Sequence, residues 1–61
     1  MSKIKYYVFD PETQDRSDYY ILRLDATMDL IENVTRKWSP NADIIECGLD
    51  VNGTELWRRT L

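Results

Sequence analysis

The chain has 61 residues, 43% of them hydrophobic and 31% charged, with a net charge of −3. That length makes one domain, which buries only about 60% of its extended-chain surface and retains ~3–5 kcal/mol of net stability. One cysteine and no histidine exclude an internal disulfide, a Cys-His nucleophile and a thiolate-based zinc site, and the mild acidity argues against non-specific duplex binding.

Residues 3–9, KIKYYVF, read as a first strand, because β-branched and aromatic side chains suit a pleated, half-buried surface. Period two places Ile4, Tyr6 and Val8 on one face and Lys5, Tyr7 and Phe9 on the other. Asp10-Pro11 stops the strand, since proline brings no N–H to a ladder. Residues 10–18, DPETQDRSD, form a polar surface connection carrying the carboxylates Asp10, Glu12, Asp15 and Asp18. Their spacing lacks the glycine and distal glutamate of an EF-hand. As a functional feature they would be an acidic contact loop, mimicking phosphate charge toward a basic partner. Residues 19–24, YYILRL, are expected as a second strand, antiparallel to the first because the connection is short. Tyr20, Leu22 and Leu24 then share one face; Tyr19, Ile21 and Arg23 take the other.

Residues 25–38, DATMDLIENVTRKW, are the one segment with sustained helical periodicity. At 100° per residue, Thr27, Leu30, Ile31, Val34 and Trp38 fall within an arc of roughly 100°, while Asp29, Glu32, Asn33 and Arg36 oppose them. Asp25 is the expected N-cap. Acids near the start and Arg36 and Lys37 near the end suit the macrodipole, and Glu32 and Arg36 are an i,i+4 pair. Ser39-Pro40-Asn41 closes the helix.

Residues 42–61 form a second hairpin whose turn, DVNGT at 50–54, admits two registers. A two-residue Asn52-Gly53 turn places Leu49 opposite Leu56 and lays Trp57 over Gly48 on the far face. A type I turn opened by Asp50, with Gly53 as a G1 bulge, shifts the register by one and sends Trp57 to the face of Ile45, Cys47 and Leu49. The bulged form is preferred: aspartate and glycine suit its first and fourth positions, and it gathers the larger apolar set. Arg58 and Arg59 then alternate across an edge and pair with acids such as Glu46.

The expected fold is α+β, a two-layer β-β-α-β-β domain: an antiparallel four-stranded sheet with one helix packed on one face, spanning residues 1–61. Its expected core takes Ile4, Tyr6 and Val8 from the first strand and Tyr20, Leu22 and Leu24 from the second. The helix adds Leu30, Ile31, Val34 and Trp38, and the third strand Ile45, Cys47 and Leu49.

One helix covers one sheet face, so the other is left with Tyr7, Phe9, Tyr19 and Ile21 among Lys5, Arg23 and Lys3. An aromatic-rich open face, where a polar one is normal, marks a contact surface. The expected function is a non-catalytic protein-binding module using that face for a protein partner or a homodimer. Cys47 reads as a buried, unreactive thiol. No cofactor, metal or small-molecule substrate is expected, and no enzyme activity. Two alternatives stay open: a nucleic-acid-binding module using the same aromatic and basic face, and a structural subunit of a larger assembly. No apolar run approaches the ~18–20 residues of a membrane span. The opening MSKIKYY lacks a secretory h-region, so a cytoplasmic location is expected, and the Asn33 and Asn52 sequons are chance.

In size, mild acidity and β-β-α-β-β layout the whole chain resembles the small proteins that phages encode to disable host machinery, of the anti-CRISPR type. That resemblance implies an inhibitor that works by surface contact, blocking a nucleic-acid or partner site on a larger complex.

Overall fold

The computed structural model describes residues 3–61. Four strands and one helix follow in the order β1 (Lys3–Asp10), β2 (Asp15–Arg16), α1 (Arg23–Glu32), β3 (Asp43–Leu49) and β4 (Glu55–Thr60). They make one antiparallel open sheet, ordered β2-β1-β3-β4. This is the expected α+β, β-β-α-β-β arrangement.

The alternation of β1 sorts the sheet into two sides, because directly paired residues share a face. Ile4, Tyr6 and Val8 pair with Gly48, Glu46 and Ile44, while Lys5, Tyr7 and Phe9 pair with Cys47, Ile45 and Asp43. The helix lies on the first of these sides. Tyr20 is bridged to Tyr6 and so shares its face, and its hydroxyl donates to Asp29 of α1 at 2.5 Å.

The second strand is shorter than expected and lies earlier. The chain turns back at once after Asp10, whose carboxylate accepts from Glu12 N–H at 3.0 Å while its carbonyl accepts from Gln14 N–H at 2.8 Å. Gln14 takes the left-handed region, φ 64, and Asp15 and Arg16 pair with Asp10 and Phe9. Ser17 then interrupts the ladder: its hydroxyl oxygen, not a backbone carbonyl, accepts from Val8 N–H at 2.9 Å. Pairing resumes only at Tyr20, which exchanges both backbone bonds with Tyr6 at 2.8 and 2.6 Å. The rest of YYILRL turns into the helix, so Leu22, Leu24, Ile21 and Arg23 are not sheet residues.

Leu22 is the N-cap of α1, with no side-chain cap, and Asp25 sits within the first turn, where its charge still suits the dipole. The helix ends at Glu32, six residues before Trp38. Asn33 adopts φ 53, a conformation asparagine tolerates better than most residues, and its side-chain oxygen accepts from Trp38 N–H at 3.0 Å. Pro40 is therefore not what stops the helix.

The helix is also turned relative to the expected stripe. Ala26 and Asp29 are buried, whereas Leu24, Ile31 and Val34 are exposed, as are Leu22 and Ile4. The helix side of the sheet is filled by Val8, Ile44, Ala26 and Trp38, with Ile44 in the place expected of Ile45. Ile45, Cys47 and Leu49 join Tyr7 in a second cluster on the opposite side, with Phe9 packed against it.

The β3–β4 hairpin has the bulged turn. Gly53 N–H donates to the Asp50 carbonyl at 3.0 Å and Asp50 N–H to the Thr54 carbonyl at 3.0 Å. Gly53 holds φ 81, and the Asp50 carboxylate accepts from Asn52 and Thr54 N–H. Yet Trp57 does not reach the face of Cys47. The register slips again beyond Leu49, which pairs with Glu55 while Gly48 pairs with Trp57, leaving Leu56 as an extra residue. Two one-residue shifts cancel, so Trp57 lies across Gly48 on the helix side. Its Cε2 stands 2.6 Å from where a Gly48 Cβ would be, so only glycine fits there.

Candidate functional site

Three features of the surface and its supports bear on function. The first is the open side of the sheet. Lys5, Tyr7 and Phe9 do share it, and Tyr19 joins them, its ring edge-on to Tyr7 with centroids 5.7 Å apart. The face is not bare, however. The Arg16 guanidinium stacks over Tyr7 at 3.7 Å from the ring centroid and lies 4.8 Å from that of Tyr19. Tyr7 is consequently only 1% exposed. Arg58, in register with Cys47 on the same side, forms an ion pair with Glu55 at 3.6 Å, and the nearby Tyr7 hydroxyl and Glu55 raise its pKa. The apolar stems of these cations take the place of a missing second layer. A hollow of about 440 Å³ remains, lined by Tyr7, Phe9, Ile45, Arg58, Arg59 and Thr60. Ile21 and Arg23 are not part of this face; both are exposed at the entrance to α1. Arg16 was not expected on this face because it lay within an apparent loop, and Arg58 was expected only as an edge residue paired with an acid.

The second is the outward line of α1. Leu24, Met28 and Ile31, at i, i+4 and i+7, are 65%, 41% and 69% exposed. Ile21 and Leu22 extend this apolar surface at the helix start. Leu24 was expected in a strand rather than on this helix, and both it and Ile31 were expected to face the core.

The third is the pair of buried carboxylates holding residues 33–41 in place. Asp29 is 1% exposed, although helical periodicity put it on the wet side. It accepts from the Tyr20 hydroxyl, from Trp38 Nε1 at 3.1 Å, and from Thr35 N–H and Oγ1 at 3.3 and 3.0 Å. Burial pushes its pKa up, but the bonds from Tyr20, Trp38 and Thr35 outweigh that and hold it below the usual carboxylate range. The same bond, reinforced by burial and by the charges of Asp29, Asp18 and Asp25, pushes the Tyr20 hydroxyl up to about 12. Asp10, also buried, accepts from Ser39 N–H at 2.8 Å and Ser39 Oγ at 2.7 Å, and these bonds lower its pKa.

The expected acidic contact loop is thereby largely spoken for. Asp10 belongs to β1 and binds Ser39. Glu12 accepts from Asn41 Nδ2 at 2.7 Å, and Asp15 faces Arg36 at 3.6 Å. Of the four acids, Asp18 alone has no such partner among the described residues. Asp10, Glu12 and Asp15 thus tie residues 36–41 to the first hairpin.

Cys47 is buried, and burial pushes its thiol pKa up, which disfavours the reactive thiolate. Among the described residues no three His, Cys, Asp or Glu side chains cluster as a metal ion would need, and no helix is long and apolar enough to cross a membrane. Comparison with family models, curated proteins and solved structures finds no match to this chain. Function must be argued from these surfaces.

Proposed function

We propose that the chain is a non-catalytic protein-binding module. One observation carries the reading: α1 turns Ala26, Asp29 and half-buried Leu30 inward and leaves the apolar line Leu24, Met28 and Ile31 in water. A surface helix ordinarily does the opposite, and contiguous exposed apolar surface marks an interaction site. Phe9, Tyr19 and Lys5 on the open side offer a second, aromatic contact area. Its mode of action is that of the small phage-encoded inhibitors its layout resembles: it blocks a site on a host or defence complex by surface contact. Immobilised protein should retain a partner from an extract of its native host, and Ile31→Glu should abolish retention while the circular dichroism spectrum is unchanged. Retention unaffected by Ile31→Glu refutes the reading.

A second reading, single-stranded nucleic-acid binding, is favoured by the cations Lys5, Arg16 and Arg58 around the rings of Tyr7 and Tyr19. Bases would stack on the exposed part of Tyr19 and on Phe9 while the cations follow phosphates. Titration with short oligonucleotides decides between them: salt-dependent binding supports this second reading, and no binding at low ionic strength removes it.

A further inference from the structure

The two broad sides of the molecule differ in charge as well as in texture. On the open side of the sheet, Lys3, Lys5, Arg16 and Arg58 register with Leu49, Cys47, Phe9 and Cys47. Four cations thus share a face with two acids in register among the described residues, Asp43 and Glu55, of which Glu55 pairs with Arg58 at 3.6 Å. On the other side, the exposed apolar line of α1 is bordered along one flank by Asp25 and Glu32, and neither is in an ion pair among the described residues. Arg23 borders the opposite flank. The sheet stands between the two sides, so one molecule cannot bring them together.

We propose that the apolar line of α1 docks on the open sheet side of a second copy of the chain, head to tail. This rests on reading that line as a contact surface, and it names the occupant. Charge complementarity selects this arrangement over an antiparallel helix-to-helix dimer. When two such helices pair antiparallel, each flank meets its own counterpart, so Asp25 and Glu32 would face carboxylates. Against the sheet side they face Lys5, Arg16 and Arg58. The dimensions agree: ten helical residues span about 15 Å, and the eight residues of β1 span about 26 Å. The docked helix would repeat the layering found inside the molecule, with Ile31 and Met28 meeting Phe9 and the rim of Tyr19.

The contact is weak by its size. The docking element is one ten-residue helix about 15 Å long, short of the roughly 20–30 residues a side of a standard interface. Because the two surfaces differ, the contact does not close at two copies; it continues into rings or open chains.

Sedimentation velocity from about 10 μM to 1 mM tests this, as mass action makes a weak contact concentration-dependent. The wild-type average mass should rise with concentration past that of two chains, and less so at high salt. Ile31→Glu spoils the helix side and Lys3→Glu/Arg58→Glu the sheet side; all three positions are exposed. Each variant alone should stay monomeric, with association more than ~10-fold weaker. Mixed, they should form a complex that stops at two chains. If Ile31→Glu perturbs folding, Met28→Glu replaces it. Wild type that stays monomeric throughout overturns the proposal. So does a sheet-side variant that still dimerises, which would mean helix-to-helix pairing. Loss of the host partner in Ile31→Glu with monomeric wild type would refute self-association and leave the binding-module reading standing.

Discussion

Replacing Asp29 by alanine should bring this protein close to its unfolding midpoint in water. The carboxylate receives donors from Tyr20, Thr35 and Trp38, and Trp38 Nε1 is the most deeply buried of them. An orphaned buried donor costs about 1–3 kcal/mol. The Trp38 indole N–H bears that penalty in full. Tyr20 and Thr35 are closer to solvent and turn partly to water, at up to about 1 kcal/mol each. The sum, ~1–5 kcal/mol with a middle value of ~3, is comparable with the ~3–5 kcal/mol available to a domain of this size. Urea titration followed by circular dichroism gives the change in midpoint, and Trp38 fluorescence in a Trp57→Phe background reports the clamp directly. Asp29→Asn, which keeps one acceptor oxygen, should lose about half as much, and coupling between Asp29→Ala and Trp38→Phe in a double-mutant cycle should reach ~1 kcal/mol. A loss below ~0.5 kcal/mol for Asp29→Ala, the range of an ordinary surface change, would refute the assignment of Asp29 as the clamp.

Other expectations follow from the same structure. Asp10 and Asp29 are held below their usual pKa by bonds made only in the fold. Their contribution is therefore complete above the ordinary carboxylate value near ~3.9 and lost as pH falls through their lower folded values. Thermal melts should be flat from about pH 7 to 5 and decline steeply below about pH 4; a melting temperature unchanged at pH ~3 would contradict this. Tyr20 gives the opposite sign: raised to about 12, it stabilises below its unfolded value and loses that contribution as pH climbs toward 12. Tyr20→Phe should blunt the alkaline loss in a pH-dependent melt. Gly48→Ala drives a methyl group into the Trp57 indole, an overpacking expected to cost ~1–3 kcal/mol. Trp57→Ala in the same chain should recover part of that loss in urea titration. Gly53→Ala meets no neighbour but inherits φ 81, so a loss of ~1 kcal/mol from backbone strain alone should appear in the same assay.

The sequence made β1 and the hairpin turn legible for different reasons. In β1, a run of β-branched and aromatic residues and the Asp10-Pro11 stop leave one assignment; at 50–54, Asp50 and Gly53 each have one natural place in a bulged turn. Leu56 illustrates the reverse: nothing in ELWRR marks an extra residue, yet it returns Trp57 to the helix side and reverses the conclusion drawn from the turn. YYILRL was ambiguous because a short apolar run suits a strand or the start of a helix, and Ser17 decided the matter by taking the Val8 N–H. Asp29 was misplaced because periodicity sends a carboxylate outward unless its donors are known, and those lie six and nine positions away. The sequence placed Tyr7, Phe9 and Tyr19 together on the sheet face away from the helix, where the structure has them. It could not reveal that Arg16 roofs that face, or that the rotated helix exposes Leu24 and Ile31.

The margins of the sheet guard against a different fate. A long, straight outer strand would offer its free amides and carbonyls to a neighbour and invite fibril growth by strand addition. Here one margin is a two-residue strand broken by Ser17, and the other is β4, kinked at Leu56 and carrying Arg58 and Arg59. Neither supports a continuous ladder to another chain. The apolar line exposed on α1 thus lies apart from both sheet margins, where added strands would otherwise propagate.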